Sequence, residues 1–161
     1  MAAVTLGENA LALAAIGIPV FPCGPDKAPL TPRGFHDATT RADAIQQWWT
    51  RWPDALVGVP TGRTSGMVVV DIDPDGMAWA RENWAALGAQ RIHVTRRGWH
   101  LVYVYQADCE IRCSAGQLAH GVDVRGEGGY IIWWPATGLE VSGDAAGTMP
   151  QWLVDRVRIP A

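Results

Sequence analysis

The residues of this chain best suited to chemistry fall in two short segments. Val68-Val69-Val70-Asp71-Ile72-Asp73 places two carboxylates one residue apart at the end of an apolar, β-branched run. Side chains alternate along a strand, so Asp71 and Asp73 project from the same face, an arrangement that can hold a hard cation such as magnesium. Gly121-Val122-Asp123-Val124-Arg125-Gly126-Glu127-Gly128-Gly129-Tyr130 adds a third carboxylate, a guanidinium and a glycine-rich turn whose backbone can come close to a polyphosphate. Carboxylates that hold two divalent ions, beside cations that clamp phosphate, suit phosphoryl transfer. Each segment also has a plain interpretation. Asp-x-Asp often only ends a strand or caps a helix, and the glycines can form an ordinary hairpin turn.

Further candidates lie outside these segments. Thr95-Arg96-Arg97-Gly98-Trp99-His100 sets two guanidinium groups, an indole and an imidazole in one stretch, with Arg112 and Arg125 downstream. Such a basic and aromatic patch can bind a nucleic-acid strand, Arg96 and Arg97 meeting phosphate and Trp99 stacking on a base. On a strand Trp99 and His100 point to opposite faces. His100 taken alone reads more readily as a core or surface histidine, and Lys27 equally as a solvated loop lysine or a phosphate or template contact. Trp48 and Trp52 share one helix face and are expected to pack on a sheet.

Composition narrows the class. The chain has 161 residues, 48% of them apolar, including 9 tryptophans, which fits a single compact domain over residues 1–161. A net charge of −3 and a pI near 5.7 argue against coating nucleic acid through a global positive field, leaving a local patch as the route. The 3 cysteines, Cys23, Cys109 and Cys113, form no paired framework and point to a reducing cytoplasm. Cys109, Cys113 and His120 loosely imitate zinc spacing, but the fourth ligand would have to be the distant Cys23 or His93, so zinc is not expected. The N-terminus has no basic region before its apolar stretch, and Ala10 to Phe21 is broken by Gly17 and Pro19; neither an export signal nor a membrane partner is expected.

The elements that must carry these residues alternate along the chain, which implies an α/β (α+β) fold. Helices are expected over Leu6 to Ile16, from a Thr40 cap to Trp52, over Asp75 to Leu87, and over Pro150 to Val157. Strands are expected near Ile18 to Pro22, at Leu56 to Val59, Met67 to Asp73, Arg91 to Thr95, His100 to Tyr105, Gly121 to Val124 and Tyr130 to Trp134. A hairpin partner for the His100 strand would bring that imidazole near the carboxylates.

In order along the chain, Lys27-Ala28-Pro29-Leu30, Gly34-Phe35 with Ala38-Thr39-Thr40, the Ile45 to Trp49 helix, Gly62 to Asp73, the His100 strand and Gly121 to Tyr130 resemble the bifunctional primase-polymerase domain. That family is a branch of the archaeo-eukaryotic primase superfamily, common in phages, plasmids and integrated elements. The resemblance spans roughly Ala10 to Trp152. It implies an RRM-like mixed or antiparallel sheet with packed helices and a small N-terminal α/β unit. It further implies Asp71, Asp73 and Asp123 as catalytic metal ligands for two magnesium or manganese ions. His100 would contact the triphosphate, with Arg125, Lys27 and the Gly126 and Gly128 turn as further nucleotide contacts.

The implied partners are single-stranded or primed DNA template, nucleoside triphosphates, and a helicase or helical accessory domain. No such domain follows Ala161, so a stand-alone protein or an excised catalytic domain is expected, in the cytoplasm of a bacterial, phage-infected or plasmid-bearing cell. Two departures stand out. A single glycine, Gly98, precedes His100 where the family often has a pair, and Trp133-Trp134-Pro135 replaces a smaller stretch. Competing classes are a non-catalytic single-stranded DNA-binding or replication-initiation module, and a metal-dependent phosphodiesterase or nicking enzyme. The first has no need of three intact carboxylates. The second would want an attacking tyrosine or a His-x-His pair, and Tyr103, Tyr105 and Tyr130 lie in apolar strands.

Overall fold

Thr5 opens the first helix with a reciprocal capping box, its hydroxyl accepting from the Glu8 N–H while the Glu8 carboxylate accepts from the Thr5 N–H. The computed structural model describes residues 3–159. In chain order the elements are α1 (Leu6–Ala15), β1 (Phe21–Cys23), α2 (Ala42–Arg51), β2 (Leu56–Pro60) and β3 (Met67–Ile72). Then come α3 (Met77–Glu82), α4 (Trp84–Leu87), β4 (Arg91–Val94), β5 (Trp99–Val104), β6 (Ser114–Ala119) and β7 (Val122–Arg125). Finally β8 (Tyr130–Ile132), β9 (Val141–Ser142), β10 (Gly147–Thr148) and α5 (Gln151–Val157) complete the chain.

The chain forms two compact units, one from the residues up to Pro60 with Tyr130–Gly138, the other from Thr61–Gly129 and the residues from Leu139 onward. In the first, β2 runs antiparallel between β1 and β8, with Phe21 and Ile132 both opposite Gly58. Ala10 and Leu13 of α1 and Ile45 and Trp49 of α2 are buried. Here the expectation for the tryptophans is corrected. Trp49, four residues after Ile45, is the buried ring, its indole N–H donating to the Ala55 carbonyl at 3.1 Å. Trp48 and Trp52 are only half-buried, and Arg51 stacks over Trp52 at 4.6 Å.

The second unit is an antiparallel sheet in the order β6-β7-β3-β5-β4-β9, with β10 pairing parallel to β5. Period-two alternation divides its residues cleanly between two faces. Val68, Val70 and Ile72 of β3, Leu101 and Tyr103 of β5, and Val122 and Val124 of β7 share one face and join Ala80, Leu87, Leu153 and Val154 from α3, α4 and α5 in one apolar core. The Tyr103 hydroxyl, whose pKa burial raises, donates to the Leu87 carbonyl at 2.7 Å and ties α4 to the sheet. Asp71, His100 and Asp123 occupy the other face.

Mixed helices with antiparallel sheets agree with the expected primase-like core. Four local expectations are corrected. The helix expected over Asp75 to Leu87 starts as a 3-10 turn at Pro74–Gly76 and breaks at Asn83, whose side-chain amide donates to the Trp79 carbonyl and competes with the helical ladder. The second helix starts at Ala42 with Arg41 at its cap position, and the Thr39 hydroxyl, not that of Thr40, accepts the Arg41 N–H. The strand expected over Tyr130 to Trp134 stops at Ile132 and gives way to a 3-10 turn at Trp134–Thr137, where Pro135 cannot donate to a ladder. Finally, β6, β9 and β10 form where the sequence shows no strand signal, because tertiary pairing supplies what their small, polar residues lack. No helix among the described residues is long and apolar enough to cross a membrane.

Candidate active site

One residue from each of six strands lines up in a single row across the second unit's sheet: Ala115, Asp123, Asp71, His100, His93 and Val141. Directly opposed residues share a face, so the register alone brings the two acids and two imidazoles together. Asp71 sits at the centre, its Oδ1 lying 3.4 Å from Nε2 of the buried His100. Nδ1 of His100 is buried and has no hydrogen-bond partner among the described residues.

Asp123 is held from two directions. The Gly116 N–H donates to its Oδ1 at 3.0 Å, and Arg125, two residues on and so on the same face, brings Nη2 to 3.6 Å from its Oδ2. Asp73 lies just beyond β3. Its N–H donates to the Gly121 carbonyl at 2.8 Å, which couples this strand end to the turn that launches β7. Gly121 takes φ +76° there, a conformation that favours glycine. Although Asp73 is exposed, partial desolvation and then the charges of Asp71 and Asp123 raise its carboxyl pKa, with Arg97 opposing them. Three carboxylates therefore sense one another at one strand end.

Two residues of β4, beside this row or in it, were not singled out for the site from sequence. His93 is fully buried opposite His100, and Arg91, on the same face of β4, donates from Nε to His93 Nε2 at 2.9 Å and from Nη1 to the Asp144 carbonyl at 2.9 Å. Burial, then the charges of Arg91 and His100, push the His93 pKa down to about 3, so the ring stays neutral with Nε2 as the acceptor. The available signal was parity: His93 and His100 flank a short turn at matching hairpin positions.

The remaining candidates are spread more widely. Arg96 and Arg97 are exposed in the turn before β5, where the Thr95 hydroxyl accepts the N–H groups of Arg97 and Gly98. Trp99 faces the helix-covered side, away from His100. The glycine-rich turn is braced by Thr61, whose hydroxyl donates to the Gly126 carbonyl at 2.6 Å, and by Glu127, whose carboxylate accepts the Arg63 N–H at 2.9 Å. Gly126 backs onto the Ile111 backbone, while Gly128 has open space beside it. Lys27 belongs to the first unit. It has φ +70°, its carbonyl accepts from the Tyr130 hydroxyl at 2.9 Å, and its Nζ lies 5.7 Å from the Trp134 ring centroid. His120 lies against Asp75 at 3.4 Å, and the Cys113 Sγ lies 3.9 Å from the Gly126 and Glu127 carbonyls.

Among the described residues no group of three or more His, Cys, Asp and Glu side chains is gathered tightly enough to hold a metal ion as it stands. The donor chemistry nonetheless fits a hard divalent cation. The candidate ligands are carboxylates, and the raised pKa of Asp73 marks a cluster of negative charge that a cation would relieve. The chain matches the family described as bifunctional DNA primase/polymerase, N-terminal, over residues 10–160. No curated protein matches it.

Proposed function

Because the chain belongs to the bifunctional DNA primase/polymerase N-terminal family, we propose that Asp71, Asp73 and Asp123 are the catalytic acids of a metal-dependent nucleotidyltransferase. It would extend or initiate a strand on a DNA template from nucleoside triphosphates. The observation that carries this assignment is the register that sets Asp71 directly between Asp123 and His100 on one face of the sheet. Magnesium or manganese ions held by these carboxylates would promote attack of a 3′-hydroxyl on the α-phosphorus and stabilise the departing pyrophosphate.

The chain's own groups position the reactants. His100 offers a ring beside Asp71 on the acid-bearing face, and its Nε2, 3.4 Å from the Asp71 carboxylate, fixes the ring's orientation for a triphosphate contact. Arg125 adds a permanent cation beside Asp123 and supplies a planar pair of donors to phosphate. Arg97 lowers the cost of gathering negative charge at Asp73. The Gly126 to Gly129 turn is a secondary nucleotide contact in this scheme.

The test incubates the purified chain with a labelled primer on a longer template, magnesium or manganese, and dNTPs or NTPs, beside an unprimed strand. Metal-dependent extension that is lost in Asp71→Asn establishes the polymerase, and products on the unprimed strand add priming. Extension that survives in Asp71→Asn and Asp123→Asn overturns the assignment.

A further inference from the structure

On the face of the sheet opposite the acids, three side chains form an exposed stack that the proposed chemistry does not use. Trp99, at the start of β5, packs its ring 5.3 Å from Trp84 of α4 at an interplanar angle of 55°, and the Arg81 guanidinium of α3 lies 5.9 Å from the Trp99 ring centroid. Trp99 is half-buried against the apolar core, so it serves as the support. Trp84 is the presented ring, with 39% of its surface exposed.

Its mounting is rigid. Leu87, one turn on, is fully buried, the Ala86 carbonyl accepts the Trp152 indole N–H at 2.8 Å, and Gly88 closes the helix at φ +56°.

From this geometry we infer that Trp84, backed by Trp99 and flanked by Arg81, is a base-stacking platform for single-stranded DNA. Every base offers a π-face to an exposed indole, whatever its sequence. The charge matches a polyanion. Arg81 lies beside the rings, and Arg97, exposed two residues before Trp99, also reaches Asp73 electrostatically and so links the platform to the strand end that carries the acids. The one acid on this stretch, Glu82, projects about 100° around the helix from Arg81.

Trp99 and His100 are consecutive and point to opposite faces of β5. A single strand passing around this end of the sheet could place one nucleotide near the acids and another on Trp84. The inference rests on the polymerase assignment only for the strand's role as template. Binding itself does not depend on catalysis.

The experiment titrates a fluorescein-labelled oligo-dT with the full chain, in EDTA and without nucleotide, and reads anisotropy for wild type, Trp84→Ala and Trp84→Phe, with thermal melts confirming folding. Trp84 is exposed, so both variants are expected to fold. Trp84→Ala should weaken binding roughly tenfold or more, and Trp84→Phe should keep most of it. Equal affinity in Trp84→Ala and wild type, or no binding of oligo-dT by the wild type, overturns the platform. Primer extension is measured on the same preparations. Trp84-dependent binding without any extension leaves the platform standing and removes the polymerase assignment, whereas extension with Trp84-independent binding does the reverse.

Discussion

Asp71 and Asp123 stand directly opposite each other across β3 and β7, side chains on the same face of the sheet. Like charges in that position destabilise a sheet, by roughly 0.2–1 kcal/mol. Arg125 and the Gly116 N–H compensate Asp123 in part, and His100 lies against Asp71. Local destabilisation of this kind is expected at a functional site rather than in a purely structural sheet.

Removing either charge should therefore separate activity from stability. Asp71→Asn and Asp123→Asn are each expected to melt at the wild-type temperature or slightly above it, while nucleotide incorporation falls by about a hundredfold or more. Thermal melts and primer extension on the same samples check this. A variant that loses stability in proportion to activity would show the acids to be structural.

His100 and Arg125 are assigned to binding the triphosphate, and their loss should be read in the kinetics accordingly. Charge-assisted hydrogen bonds of this kind are worth about 1.5–3 kcal/mol, so His100→Ala or Arg125→Ala should raise the KM for nucleotide roughly ten- to a hundredfold. A fall in kcat at unchanged KM would instead place the lost contact in the transition state alone.

His93 gives the fold a defined acid sensitivity. Its pKa is about 3 in the folded chain against an ordinary 6.5, because it is buried beside Arg91 and His100. Above pH 6.5 both states are neutral and its contribution is fully present. As pH falls from 6.5 toward 3 the unfolded chain takes up a proton that the folded chain refuses. Stability should then drop by about 1.4 kcal/mol per pH unit from this group alone. His93→Gln keeps an acceptor for Arg91 and cannot titrate, so urea-unfolding free energies measured between pH 7 and pH 4 should fall less steeply in the variant. Parallel slopes would mean that His93 is protonated in the folded chain.

The parts of this site written in local pattern were legible in the sequence, and the parts that depend on pairing were not. Val68 to Asp73 announces a strand with two same-face acids, and β3 forms there with Asp71 on the open face. The opposition of Asp71 to both Asp123 and His100 is a matter of register, which pairs residues tens of positions apart and leaves no trace in either segment alone. His93 escaped even though it faces His100 across a short turn, since a lone histidine between Ile92 and Val94 reads as an ordinary strand residue. The tryptophans misled because helix spacing identifies a shared face but not which face is buried; the Ala55 carbonyl, which accepts from Trp49, decides that.

Gly98 tests whether the register itself is what the chemistry needs. It is the single glycine ahead of His100, and its φ does not demand glycine; the constraint is space. A Cβ at this position would run into the Ile72 carbonyl, one residue beyond Asp71. The turn is closed on both sides, the Thr95 N–H donating to the Gly98 carbonyl at 2.9 Å and the Gly98 N–H to the Thr95 hydroxyl at 2.9 Å, so it has little freedom to move aside. Overpacking of this kind costs about 1–3 kcal/mol, and the strain falls between Ile72 and Trp99, the register pair next to Asp71 and His100. Gly98→Ala should therefore lower the unfolding midpoint moderately. Incorporation should fall more than tenfold at temperatures where circular dichroism shows the variant fully folded, because a sub-ångström displacement of His100 from Asp71 is enough to spoil the alignment of reacting groups. Full activity in a destabilised but folded variant would show that the Asp71–His100 register tolerates slack and that its alignment is not what limits the reaction.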